Sequence, residues 1–261
     1  MTRLLPMLLV GCAAVPGHAV ENVASGALQA LRALDTPGRP LTEGERTFLA
    51  EVWPPGTLPD LARVRVHDGG LVKEILDSGA TTLGYAIYFK RERYEADLAG
   101  NALLAHEVCH VWQHERRAYT GYSLPKVLEE HVAEDDPYAF ELPESPDADF
   151  FAYGFEQQCA LVQRSVAARE AEEPPPLLRV VRRGLTLEGR EPAHAPDLAA
   201  DYAALATAVG DAEAEGEALT EDAVGPDAEA TRRRASRAED VRLFVTAWRA
   251  RQSAGATREN P

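Results

Sequence analysis

The sequence predicts a helix-dominated α+β domain with one short antiparallel β element, followed by a helical, partly disordered C-terminal region. Two short runs before Lys90 alternate or cluster apolar residues, and three stretches between Asp97 and Glu170 carry them at helical spacing. At Glu170 the composition shifts to Ala, Glu, Arg and Pro. The 261 residues are room for one full domain or two small ones, and 45% hydrophobic with 26% charged residues excludes a collagen-like or low-complexity chain. A net charge of −15 repels phosphate backbones, so nucleic acid is excluded as an expected partner. Three cysteines cannot build a disulfide framework.

The elements follow in order. Leu4 to Gly11 is an apolar run flanked by Arg3, too short to span a membrane and suited to an export signal. It ends in Leu9-Val10-Gly11-Cys12, which resembles a bacterial lipoprotein box with Cys12 as the lipidated residue; the alternative is an ordinary signal cut after Ala19. Residues 1–19 are therefore expected to be a leader and 20–40 a linker, with the product exported as a periplasmic or outer-membrane lipoprotein or secreted. Thr42 and Glu45 form a capping box that starts a helix running to about Val52, where Trp53-Pro54-Pro55-Gly56 stops it. Val64 and Val66 alternate with Arg63, Arg65 and His67 in a short strand. Gly84 to Lys90 reads as a second strand, with Tyr85, Ile87 and Phe89 on one face. Helices are expected from after Asp97 to about Arg117, from Leu124 to about Val132, and from Asp149 to about Glu170. The domain is thus 41–170, and 171–261 is the acidic C-terminal region. There Leu198, Tyr202, Leu205 and Val209 form a helical stripe closed by Gly210. Asp211 to Glu229 holds eight acidic and no basic residues and reads as a solvated linker before a last helix, about Ala228 to Arg251.

Chemistry is concentrated in Leu103-Leu-Ala-His106-Glu107-Val-Cys-His110-Val-Trp-Gln113, a His-Glu-x-x-His on a predicted helix. The spacing of four puts both imidazoles on one face, and Glu107 can take a proton from water on the ion they share. Chance supplies this pattern roughly 0.02 times per chain of this composition. A catalytic zinc site needs a third protein ligand. A histidine six residues after His110 is ruled out because that position is Arg116, and His114 lies two turns from His106. A carboxylate remains, and Glu129, Glu130, Glu134 and Glu156 are the candidates; Glu129 and Glu130 form a charged pair that more naturally faces solvent.

The capping-box helix, the Arg-Val-Arg-Val and Gly-Tyr-Ala-Ile-Tyr-Phe strands, the His-Glu-x-x-His segment and Tyr153-Gly-Phe-Glu156-Gln157-Gln158 occur in that order. In this they resemble the zinc metallopeptidase domains encoded near bacterial extracellular contractile injection systems and Rhs-type toxins. The resemblance spans Leu41 to Arg164. It implies a small zincin-like α+β fold and makes Glu156 the third ligand; independently, Glu156 lies on its own predicted helix at a gluzincin-like distance from His110. Where thermolysin-type gluzincins carry an aspartate four residues after that ligand, this chain has Ala160.

The expected function is a zinc metallopeptidase of peptide or protein substrates. Zn2+ is held by His106, His110 and Glu156, and Glu107 is the general base toward the zinc-bound water. Tyr153 could donate to the oxyanion, Gln113 could orient a ligand, and the Gly84–Lys90 strand could present its backbone to an extended peptide. Cys109 and Cys159 each neighbour a ligand and could oxidise outside the cytoplasm; the preferred reading is two small buried hydrophobes. His67 and His131 read as packing or surface histidines and Trp112 as core. The alternatives are a non-catalytic zinc-binding envelope lipoprotein and an accessory or adaptor protein of a secretion system acting through the acidic C-terminal region.

Overall fold

Thr42 and Glu45 exchange both capping bonds (Glu45 N–H to Thr42 Oγ1, 3.1 Å; Thr42 N–H to Glu45 Oε2, 2.7 Å) and open helix α1, Glu43–Val52. The computed structural model describes residues 38–69, 79–134, 136–169, 175–192, 196–219 and 223–256, the last ten by backbone alone. The expected leader, with Cys12, lies outside the described residues. Glu45 does more than cap: it is fully buried, and its carboxylate also accepts from Arg39 at 2.6 and 2.9 Å and from Leu98 N–H at 2.8 Å.

Three strands follow: β1 (Arg65–Asp68), β2 (Ala80–Leu83) and β3 (Ala86–Phe89). Their order is β1-β3-β2, with β1 parallel and β2 antiparallel to β3. The sheet is therefore mixed: β2 and β3 form an antiparallel element, as expected, and β1 adds a parallel strand. Residues 69–85 separate β1 from β3, enough chain for a parallel return. Gly84 and Tyr85 are a hairpin turn rather than strand; Gly84 has φ +64°, which a two-residue turn of this kind requires at its first position. This also corrects the expected substrate platform. β3 is the central strand, its backbone committed to both neighbours, and of the two edge strands β2 is the one that lines the cavity.

Helix α2 (Ala102–Glu115) starts later than expected because Asn101 caps it, accepting from Leu103 N–H at 2.9 Å. Leu104, Val108, Val111 and Trp112 on it are completely buried. A short helix α3 (Arg117–Thr120) turns the chain into α4 (Leu124–Ala133), with Pro125 in its first turn. The helix expected from Asp149 is interrupted. A 3-10 turn spans Phe150–Ala152, and α5 begins at Phe155 after Gly154, running Phe155–Ala168. Helix α6 (Pro176–Leu185) buries Leu177, Val180, Val181 and Leu185 in the same core as α1, α2 and α5.

Helix α7 (Leu198–Ala218) and helix α8 (Pro226–Ala256) form a hairpin against α4. The stripe does not stop at Gly210, and the expected linker from Asp211 is helix as far as Ala218. Alternating Ala and Glu are strong helix formers, and arginines of α8 meet the charge: Arg242 pairs with Glu213 at 2.9 Å and Arg234 with Glu215 at 3.0 Å. A second core of Leu83, Tyr88, Leu128, Leu205, Val241 and Phe244 joins this hairpin to the sheet and α4. Among the described residues no helix is long and apolar enough to cross a membrane.

Candidate metal centre

Helix α2 turns its apolar side into the core and its His106/His110 side toward α5 and a cavity. Glu156 stands in the first turn of α5, which packs directly on α2. Three ligand atoms thereby meet. His106 Nε2 lies 3.1 Å from Glu156 Oε2, His110 Nε2 lies 3.3 Å from the same oxygen, and the two Nε2 atoms are 3.2 Å apart. All three residues are buried, 3–5% exposed, and they form a group that could hold a metal ion. Donors ~2.0–2.1 Å from a tetrahedral ion stand roughly 3.3 Å from one another, which is the size of this triangle.

The tautomer of His110 is set from behind. Its Nδ1–H donates to Gln113 Oε1 at 2.9 Å, and Gln113 Nε2 donates in turn to Gln158 Oε1 at 3.0 Å and Phe155 O at 3.1 Å. Gln158 Nε2 closes the relay on Tyr153 O at 2.7 Å. Gln113 therefore orients a donor histidine, leaving Nε2 to face the triangle. His106 Nδ1 is buried without a hydrogen-bond partner among the described residues. Burial alone would depress the His110 imidazole, but the Glu156 carboxylate beside it pushes it up to about 9. Burial likewise works against the charge on Glu156, and His110 and His106 overcome it and hold the carboxyl well below its usual range.

Glu130 departs from its solvent-facing expectation. Its two oxygens accept from Phe155 N–H, both at 3.0 Å, and one accepts from Glu156 N–H at 3.4 Å. It caps α5 from α4, a task that Gly154, which has no side chain, cannot perform. A Cβ on Gly154 would stand 3.2 Å from both Glu130 oxygens, so the glycine also makes the approach possible. Burial pushes Glu130 up to about 7 against those backbone donors.

The cavity beside the triangle has a volume of about 470 Å³. β2 forms one wall and α4 with residues 136–138 another, and α8 contributes Arg233, Arg237, Asp240 and Val241. Glu107 lines it, 3% exposed, with Oε2 at 2.7 Å from the Thr82 hydroxyl. Tyr153 does not line it. Its hydroxyl is 3.4 Å from Glu141 O and its ring packs edge-on against Phe140, because the chain passes Gly154 before α5 begins and Tyr153 never shares a helical face with Glu156. Tyr138 stands there instead, its ring 6.1 Å from that of His106 and its hydroxyl 3.3 Å from His131 Nε2. His131, expected to be a packing or surface residue, lines the cavity with Nε2 3.7 Å from Glu156 Oε1. His67 stacks on Tyr88. Sequence spacing gave no signal for Tyr138 and His131; only the Leu83-Gly84-Tyr85 turn signature could have revealed β2 and Thr82.

Cys109 and Cys159 are joined as a disulfide between α2 and α5, correcting the preference for two separate buried thiols. Each lies three residues beyond a member of the triangle, His106 and Glu156, so the packing that brings those side chains together brings the sulfurs together as well.

No curated protein and no solved structure is significantly similar to this chain. Residues 41–118 match the family model of the eCIS core domain, over α1, the sheet and α2 with His106, Glu107 and His110 but short of Glu156, and this match ties the chain to extracellular contractile injection systems.

Proposed function

We propose that the chain is a zinc-dependent metallopeptidase. The observation that carries this reading is the buried triangle of His106, His110 and Glu156 with Glu107 beside it on the wall of one cavity. Two imidazoles and one carboxylate leave a fourth position, the donor set of catalytic rather than structural zinc. Zinc, when bound, supplies Lewis-acid polarisation of a carbonyl and lowers the pKa of water to about 7. Glu107 accepts the proton of the attacking water and passes it to the leaving amine. Tyr138, with His131 behind its hydroxyl, is a donor on the cavity wall for the developing oxyanion, a role that Tyr153, which does not line the cavity, cannot fill. The strand presented to an extended substrate is β2, which ends the sheet and lines the cavity. The Cys109–Cys159 disulfide supports an oxidising compartment and so the expected export.

The eCIS core match favours a second reading, an accessory protein of an injection system in which the metal only ties α2 to α5. Glu107→Gln separates the two. The substitution is nearly isosteric but cannot accept the proton. Under the peptidase reading the variant keeps one zinc per chain and loses turnover of a peptide library by roughly 10²–10⁴-fold. No turnover in the wild type carrying its zinc would support the accessory reading, and equal turnover in the variant would mean that Glu107 is not the base.

A further inference from the structure

We propose that Thr82 is a positioning residue for Glu107, holding the carboxylate from β2 so that one oxygen faces the cavity. The inference rests on the metallopeptidase reading and adds to it a residue outside the helix that carries the motif. Thr82 is 6% exposed and its place in the sheet is fixed by pairing with Ile87. Its Oγ1 lies 2.7 Å from Glu107 Oε2 and 3.1 Å from Glu107 O. A hydroxyl has one proton to give, and the closer of the two oxygens is the side-chain one, at 2.7 Å. Burying a hydroxyl costs stability unless it is bonded, and valine would fill this strand position without that cost. Both acceptors belong to Glu107.

The carboxylate needs such a hold. A glutamate side chain has several rotatable bonds, and every rotamer other than the productive one removes the base from its water. Among the described residues Thr82 is the hydrogen-bond partner of that carboxylate. With Oε2 engaged, Oε1 is the oxygen left to take a proton from an attacking water in the cavity that Glu107 lines. β2 thus serves the site twice, as the strand along the substrate and as the anchor of the base.

The test uses the full chain with Thr82→Val, Thr82→Ser and Glu107→Gln, reading zinc content, kcat and KM on a peptide that the wild type cleaves, and the infrared carboxylate bands. Thr82→Val should keep one zinc and a KM within about twofold, while kcat falls roughly 10- to 100-fold. Thr82→Ser should recover most of that loss. In the Glu107→Gln background the valine should add nothing, because the group it acts through is gone. The carboxylate band that disappears in Glu107→Gln should shift in Thr82→Val and return in Thr82→Ser. A wild-type kcat in Thr82→Val overturns the proposal. Loss of zinc in that variant also overturns it, by assigning Thr82 to the scaffold. The infrared shift is readable without turnover: an unshifted band overturns the hold on Glu107. A shifted band in a chain that cleaves no peptide supports the hold and sinks only the peptidase reading.

Discussion

Removing the carboxylate of Glu130 should weaken metal binding although Glu130 touches no ion. Helix α5 presents Glu156 from its first turn, and among the described residues the N–H groups of Phe155 and Glu156 are satisfied by Glu130, across from α4. Loss of an N-cap acceptor costs about 1 kcal/mol, and loss of a negative charge at a helix N-terminus costs roughly 0.3–1 kcal/mol more. Burial offsets part of this, since it already pushes the carboxyl up to about 7. The remainder, ~1–2 kcal/mol, falls on the conformation that holds Glu156 in the triangle and corresponds to roughly a 5- to 30-fold weaker metal affinity. Glu130→Gln keeps an acceptor without the charge and should lie between the wild type and Glu130→Ala. Glu129→Ala, one residue away with no bond to α5, should stay within about twofold. Competition of zinc with a chromogenic chelator reads all four proteins. A wild-type affinity in Glu130→Ala would mean that Glu156 is held by packing alone, and the capping argument would fall.

Two further outcomes concern the scaffold. The Cys109–Cys159 link spans a sequence separation of 50, which a chain-entropy model values at about 4 kcal/mol; a Cys109→Ser/Cys159→Ser variant should melt roughly 8–16 °C lower, and a melting temperature insensitive to both the variant and reductant would refute the link. Burial alone would raise Glu45, but Arg39 and the N–H groups of Thr42 and Leu98 hold it below its ordinary 4.5. With the folded value lower than the unfolded one, this stabilisation is present above 4.5 and is lost as pH falls through the folded value. Thermal melts from pH 7 downward should therefore show an acid limb that is shallower in Glu45→Gln, and an equally steep limb would contradict the assignment.

The parts of the fold that were legible from sequence are those written in local pattern. The Thr42/Glu45 box, the buried Val64 and Val66, and the spacing of His106 and His110 each follow from a few neighbouring residues. Glu156 needed a resemblance as well, because a ligand contributed by a second helix has no local signature. The illegible parts depend on partners distant in sequence. Ala80–Leu83 is too short to announce a strand and becomes one by pairing with β3. The acidic run after Gly210 looks solvated until the arginines of α8 are set against it. Glu130 owes its place to the bonds it makes from α4 to the first N–H groups of α5 and Tyr138 to the chain between those helices, and nothing in their own neighbourhoods distinguishes Glu130 from Glu129.

The central claim is that one zinc is held by His106, His110 and Glu156. X-ray absorption at the zinc edge, on the full chain loaded with one equivalent, tests it most directly. The account predicts a nitrogen and oxygen shell at ~2.0–2.1 Å, outer-shell scattering from two imidazoles that drops to one in His106→Ala or His110→Ala, and no sulfur. A sulfur shell at ~2.3 Å, or a spectrum unchanged in both histidine variants, would contradict it.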